Sequence, residues 1–169
     1  MDDYLISDVG SESEPEYDSE LQPLSSTSST ESISNDDMIR IGSQVTLELL
    51  ELRNQIKVAH WQSTSYSEHK TLDKLFDILN NQNDRWVETF MGKYDRVHFP
   101  TTNNTIRLIN KNELDIHKTG IESYLKTWVY KMRNIRDTYF NTSTHSDLSN
   151  IFDELFGDIY RTCYLLTLN

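Results

Sequence analysis

Residues 67–91 read SEHKTLDKLFDILNNQNDRWVETFM, and two interleaved patterns in this stretch set the expected architecture. Leu72, Leu75, Phe76, Leu79, Trp86, Val87 and Phe90 recur at intervals of three and four, the helical period. With roughly 100° per residue and His69 at zero, Leu72, Phe76, Leu79, Trp86 and Phe90 fall between about 260° and 340°. His69, Asp73, Asp84 and Glu88 fall at about 0°, 40°, 60° and 100°. The helix is thus expected to carry a core face and, beside it, a separate stripe of metal-ligand side chains.

The same period extends on both sides of this helix. Residues 36–60 place Met38, Ile41, Val45, Leu49, Leu52 and Ile56 on one face, with Ser34 and Asp37 as a capping pair at the start. The polar run Gln62–Ser65 breaks this helix from the next, and Gly92 is the expected stop of the second. About 17 residues, Lys93 to Ile109, with Pro100 and Thr/Asn clusters, form a long connection. A third helix over 111–139 carries Leu114, Ile121, Leu125, Trp128, Val129, Met132, Ile135 and Tyr139. Asn141–Ser146 make a turn, and a fourth helix over 147–168 carries Leu148, Ile151, Phe152, Leu155, Ile159, Tyr160, Cys163 and Leu166.

Four helices joined short, long, short predict an all-α four-helix bundle with one long crossover between helices 2 and 3. A helix of about 25 residues is roughly 38 Å long, and about 17 extended residues reach up to roughly 56 Å. The connection is long enough to return along the bundle.

The acidic excess lies outside this body. The chain has 169 residues with formal charge −11, yet residues 1–39 hold 11 acids and no Lys or Arg, leaving the remainder neutral. Residues 1–35 are rich in Ser, Glu and Asp and poor in large apolar side chains, so they are expected to be a disordered tail before a 36–169 bundle. A tail without Lys or Arg excludes itself as a phosphate-binding arm or basic membrane tether, so neither nucleic acid nor membrane is an expected partner. An acidic tail of this kind suits a protein partner. Ser11, Ser13 and Ser28 each precede a Glu by three residues, a pattern that fits an acid-directed kinase and that such tails also match by chance. One cysteine, Cys163, allows no internal disulfide, and no apolar run reaches the roughly 20 residues of a membrane span. With no signal-peptide pattern at the N-terminus, a soluble, intracellular protein is expected.

The ligand stripe cannot close within one chain, because Asp73 and Asp84 are about 16 Å apart along the helix axis. An antiparallel second copy resolves this: its Asp84 and Glu88 would face His60, His69 and Asp73 of the first, giving two equal sites and a homo-oligomer built on two-fold dimers. Imidazole with carboxylate suits iron, zinc or manganese. The competing reading is a solvated face with surface ion pairs, and Asp77 lies on the same side at about 80°. Isolated His98, His117 and His145 read as surface or cap residues, Cys163 as a buried small hydrophobe, and Trp86 and Trp128 as core. No Gly-rich phosphate loop, Cys-x-x-Cys pair or nucleophile elbow occurs.

The segments Ala59-His60-Trp61, Glu68-His69-Lys70-Thr71-Leu72-Asp73 and Asp84-Arg85-Trp86-Val87-Glu88 resemble the Dps or mini-ferritin branch of the ferritin-like superfamily. In that branch a His-Trp ends the first helix, and His-x3-Asp and Asp-x3-Glu lie on the second. The resemblance covers about 30 residues by motif and about 130 by helix layout. It implies a ferritin-like bundle and an iron site between subunits, with ferroxidase chemistry using peroxide or oxygen. The implied ligands are His60, His69 and Asp73 from one subunit and Asp84 and Glu88 from another, with Trp61 beside them. The chain is also similar to ferritin-like proteins of large DNA viruses and phages, which implies a virion or infected-cell setting. The second expectation is a non-catalytic ferritin-like structural or interaction protein.

Overall fold

The first two long helices begin at serine side chains that satisfy the backbone. In a computed structural model that describes residues 33–99, 105–116 and 120–168, the elements are α1 (Asn35–Trp61), α2 (Tyr66–Lys93), α3 (Lys111–Ile116), α4 (Gly120–Tyr139) and α5 (Ser146–Leu166). No strand occurs among the described residues. Ser34 caps α1: its Oγ accepts from the Asp37 N–H at 3.1 Å, and its hydroxyl donates to Asp37 Oδ2 at 2.7 Å. Most of the expected 1–35 tail lies outside the described residues; Asn35 is already helical.

Among the long helices, α1 packs on α2, α2 on α5 and α5 on α4, and each of these neighbours runs antiparallel. Between α1 and α2, Arg53 donates to Asn80 Oδ1 at 3.2 Å and Asn83 Nδ2 to the Leu49 carbonyl at 2.9 Å. Between α2 and α5, Arg85 pairs with Glu154 and Lys93 with Asp147. Between α4 and α5, Arg136 joins Asp153 and the Cys163 thiol approaches the Glu122 carbonyl at 3.9 Å, while Lys131 of α4 reaches Glu48 of α1. In the three packed pairs the numbers rise along one helix and fall along the other. α2 therefore packs on α5 while α4 runs parallel to α2 without being its neighbour, which requires a connection that travels the length of the bundle.

That connection lies along α1, fixed by successive backbone bonds. The His98 N–H donates to Ser43 Oγ at 2.8 Å, the Arg107 N–H to Glu51 Oε2 at 3.3 Å and the Lys111 N–H to Gln62 Oε1 at 2.7 Å. Between them Gln55, fully buried, clamps both backbone groups of Ile109 at 2.8 Å each. A buried amide with both ends satisfied by one residue's backbone pins the strap in register.

The core follows the helical stripes expected from the sequence, and the differences are local. Phe76, Val87, Tyr139 and Leu166 are only partly buried, and Tyr160 is exposed. Phe140 and Phe156, which the stripes omit, are buried; Phe140 sits just past the end of α4 and packs edge-on against Trp86. The single 111–139 helix expected from its periodicity is instead α3 and α4, with Gly120 in the left-handed region at φ 54°. Leu114 and Ile121, both buried, stand seven residues apart, so the apolar period runs through the break and conceals it. Gly92 does not stop α2; the helix continues to Lys93, and the Tyr94 N–H closes it on the Phe90 carbonyl. No helix among the described residues is long and apolar enough to cross a membrane.

Candidate metal site at the α1–α2 turn

The turn is short because both of its ends are capped. Gln62 ends α1, and Ser65 opens α2 by accepting from the Glu68 N–H at 3.4 Å. Glu68 reaches back to accept the Ser63 hydroxyl at 2.6 Å, tying the start of α2 to the turn, and its other oxygen meets Lys111 Nζ at 3.5 Å. This brings the last turn of α1 against the first turn of α2.

His60 and His69 meet there as a reciprocal clasp. His60 Nδ1 lies 3.1 Å from the His69 carbonyl, and His69 Nδ1 lies 3.1 Å from the His60 carbonyl. The two rings stack with centroids 4.0 Å apart. A carbonyl only accepts, so each Nδ1 must carry its proton and donate, which leaves each neutral ring with its lone pair on Nε2. His60 is buried, and its Nε2 lies 3.6 Å from Asp73 Oδ1. One helical turn separates His69 from Asp73 on α2, which places both acceptors on the side of the clasp.

The three residues expected from one chain are therefore brought to one corner, and the other two are not. Asp84 and Glu88 are exposed farther along α2, and neither pairs with a cation among the described residues. No group of three or more His, Cys, Asp or Glu among the described residues is arranged to hold a metal ion. Trp61 stands beside the clasp with 68% of its surface exposed.

Lys57 was not foreseen as part of this corner. Its Nζ lies 3.9 Å from the same Asp73 Oδ1 that faces His60, 4.3 Å from the centre of the Phe76 ring and 5.9 Å from that of Trp61. The sequence signal was available: Lys57 precedes His60 by three residues and so shares its face of α1.

His98 is exposed, as expected, whereas His145 is half-buried against Tyr94 and Phe140 and not a surface residue. His98 uses its backbone N–H on Ser43, and His145 stands at the N-cap of α5 without a side-chain cap bond. The Tyr94 hydroxyl and His145 Nε2 form a short hydrogen bond, and His145 Nδ1 lies 2.7 Å from Thr144 Oγ1. Burial, then the Lys93 ammonium, holds the His145 imidazole below its ordinary value. His117 lies outside the described residues. Cys163 is buried, and burial pushes its thiol up. Trp86 and Trp128 are core residues.

An all-helical bundle with a strapped crossover and a histidine clasp between its first two long helices defines the class of protein. The chain belongs to the family of unknown function DUF5856, whose model matches residues 60–166, from the first histidine of the clasp to the end of α5. No curated protein and no solved structure matches the chain.

Proposed function

We propose that this chain is a ferritin-like protein of the mini-ferritin kind, which takes up Fe²⁺ as a substrate at sites shared between two copies. The observation that carries the reading is the clasp. Both imidazoles spend Nδ1–H on a backbone carbonyl, the arrangement that orients a metal-binding histidine and reserves Nε2 for the metal, and Asp73 faces one of those nitrogens. The antiparallel packing of the long helices with a long crossover also supports the ferritin-like assignment. Asp84 and Glu88 of a second, antiparallel copy complete the ligand set, since exposed carboxylates on the same helix are accessible to a neighbour. Neutral imidazole and ionised carboxylate hold Fe²⁺, and the carboxylates stabilise the added charge when the ion gives an electron to peroxide or oxygen. The same donors accept zinc or manganese.

One observation favours a second reading, a non-catalytic ferritin-like scaffold: Asp73 already has a cationic neighbour in Lys57. Aerobic Fe²⁺ oxidation by the full chain, alongside its native mass, separates the two. The first reading expects a dimer or larger assembly that oxidises Fe²⁺ faster than buffer, with the excess lost in the double variant Asp84→Ala, Glu88→Ala. A wild-type rate equal to buffer leaves the scaffold.

A further inference from the structure

The outer face of α2 carries a charge pattern that the bundle itself does not use. Lys70, Lys74, Asp77, Asn81, Asp84 and Glu88 are all exposed. With His69 again at zero they fall between about 60° and 140°, a single stripe roughly 27 Å long from Lys70 to Glu88. Asp73 and Arg85, on the flanks of this stripe, pair within the chain with Lys57 and Glu154. The charges of the stripe form no ion pair among the described residues. Two lysines stand four apart near its start and two carboxylates four apart near its end, like-charge spacings that cost a lone helix stability.

The order of these side chains is its own complement when reversed. Lys70 and Glu88 lie nine residues on either side of position 79, Lys74 and Asp84 five, and Asp77 and Asn81 two. A two-fold axis at that level, perpendicular to α2, brings each lysine opposite a carboxylate and each Asn81 amide opposite an Asp77 carboxylate. The pattern continues to the ends, where Tyr66 and Gly92 lie thirteen residues on either side. Tyr66 has 78% of its surface exposed, and a Cβ at Gly92 would meet nothing within 4 Å, so open space over a bare backbone faces the protruding ring.

We propose that the outer face of α2 is an isologous interface on which a second copy of this chain packs antiparallel, Lys70 against the partner subunit's Glu88 and Lys74 against the partner subunit's Asp84. Charge selects the occupant: a face with lysines at one end and carboxylates at the other attracts its own reversed copy and repels a parallel one. The pairing needs no metal ion and does not rest on the iron reading above, with which it shares only the antiparallel second copy. Its ion pairs lie at exposed positions, so the attraction weakens with salt.

The test is sedimentation velocity of the full chain in chelator. The wild type is expected to dimerise at about 0.05 M salt and to dissociate near 0.5 M, roughly a tenfold change in ionic strength. The double variants Lys70→Glu, Lys74→Glu and Asp84→Lys, Glu88→Lys each put like charges at every contact of a homodimer and should weaken it by roughly a hundredfold. Mixed in equal amounts they present opposite charges at every contact, so a heterodimer should form as tightly as the wild-type dimer. All four positions are exposed, and unchanged circular dichroism and melting show that the fold is kept. Where a double variant melts early, Lys74→Glu and Asp84→Lys alone run the same exchange. A wild type that stays monomeric at low salt, variants that self-associate as the wild type does, or a mixture that stays monomeric each refutes the interface. Fe²⁺ oxidation is measured separately, so a chain that oxidises iron and fails the charge exchange loses this pairing alone.

Discussion

Gly42→Ala is the substitution whose outcome the packing fixes most tightly. Gly42 lies in the second turn of α1, where alanine is normally the better residue by about 1 kcal/mol. An added Cβ would sit 2.1 Å from Phe90 Cζ and within 2.5 Å of both Cε atoms. The ring cannot swing away freely: Phe90 is fully buried, stacked on Trp86 at 5.3 Å and tilted against Tyr94 at 5.0 Å. Opening a normal contact therefore requires α1 to move off α2 or the aromatic stack to shift, an overpacking cost at the upper end of about 1–3 kcal/mol. Subtracting the propensity gain leaves a net loss of about 2 kcal/mol, or a melting temperature lower by roughly 8 °C for a body of this size. Urea unfolding followed by circular dichroism measures it, with an unchanged m-value showing that only stability moved. Gly157→Ala is the internal control, because its Cβ meets nothing within 4 Å on an exposed face of α5; it should stabilise by up to about 1 kcal/mol. Phe90→Leu should recover part of the Gly42→Ala loss, with a coupling of about 1 kcal/mol or more. A Gly42→Ala protein as stable as wild type, or more so, refutes the close approach of Phe90 to α1.

Two further outcomes follow from the electrostatics. Burial first, and then Glu48, raise the Glu51 carboxyl above its ordinary value, so the ionised form is a cost to the folded state that grows as pH rises through the folded pKa. Glu51→Gln, whose amide oxygen can still accept from the Arg107 N–H, should therefore raise the melting temperature at about pH 7 and lose that advantage near pH 4; a gain that persists undiminished at low pH would mean that charge is not the cause. His145 has the opposite dependence. Its folded pKa is depressed, so its contribution is complete above about 6.5 and declines as pH falls below that. His145→Gln should shrink the loss of stability between about pH 7.5 and 5.5, and an equally steep loss in the variant would assign the dependence to other groups.

The helical character of this protein, the faces its helices bury and the need for a long return connection are all local consequences of chain periodicity, and the sequence determines them by itself. Leu72, Leu75, Leu79, Trp86 and Phe90 are buried because residues three and four apart share one side of a helix, whatever that side meets. The clasp was half legible for the same reason: His69 and Asp73 are one turn apart on α2, and His60 closes the preceding helix. What periodicity cannot encode is which surfaces come together. The break at Gly120 hides under an unbroken apolar stripe, because a stripe records the face and not the backbone continuity between its members. Phe140 belongs to no stripe, and only the return of α5 against α2 encloses it. Gly42 reads as a weak point in α1 until the Phe90 ring is seen to need the space. Lys57 carries only a charge in the sequence; the crossing of α1 over α2 sets it between Asp73 and two aromatic faces, and that position makes it part of the site.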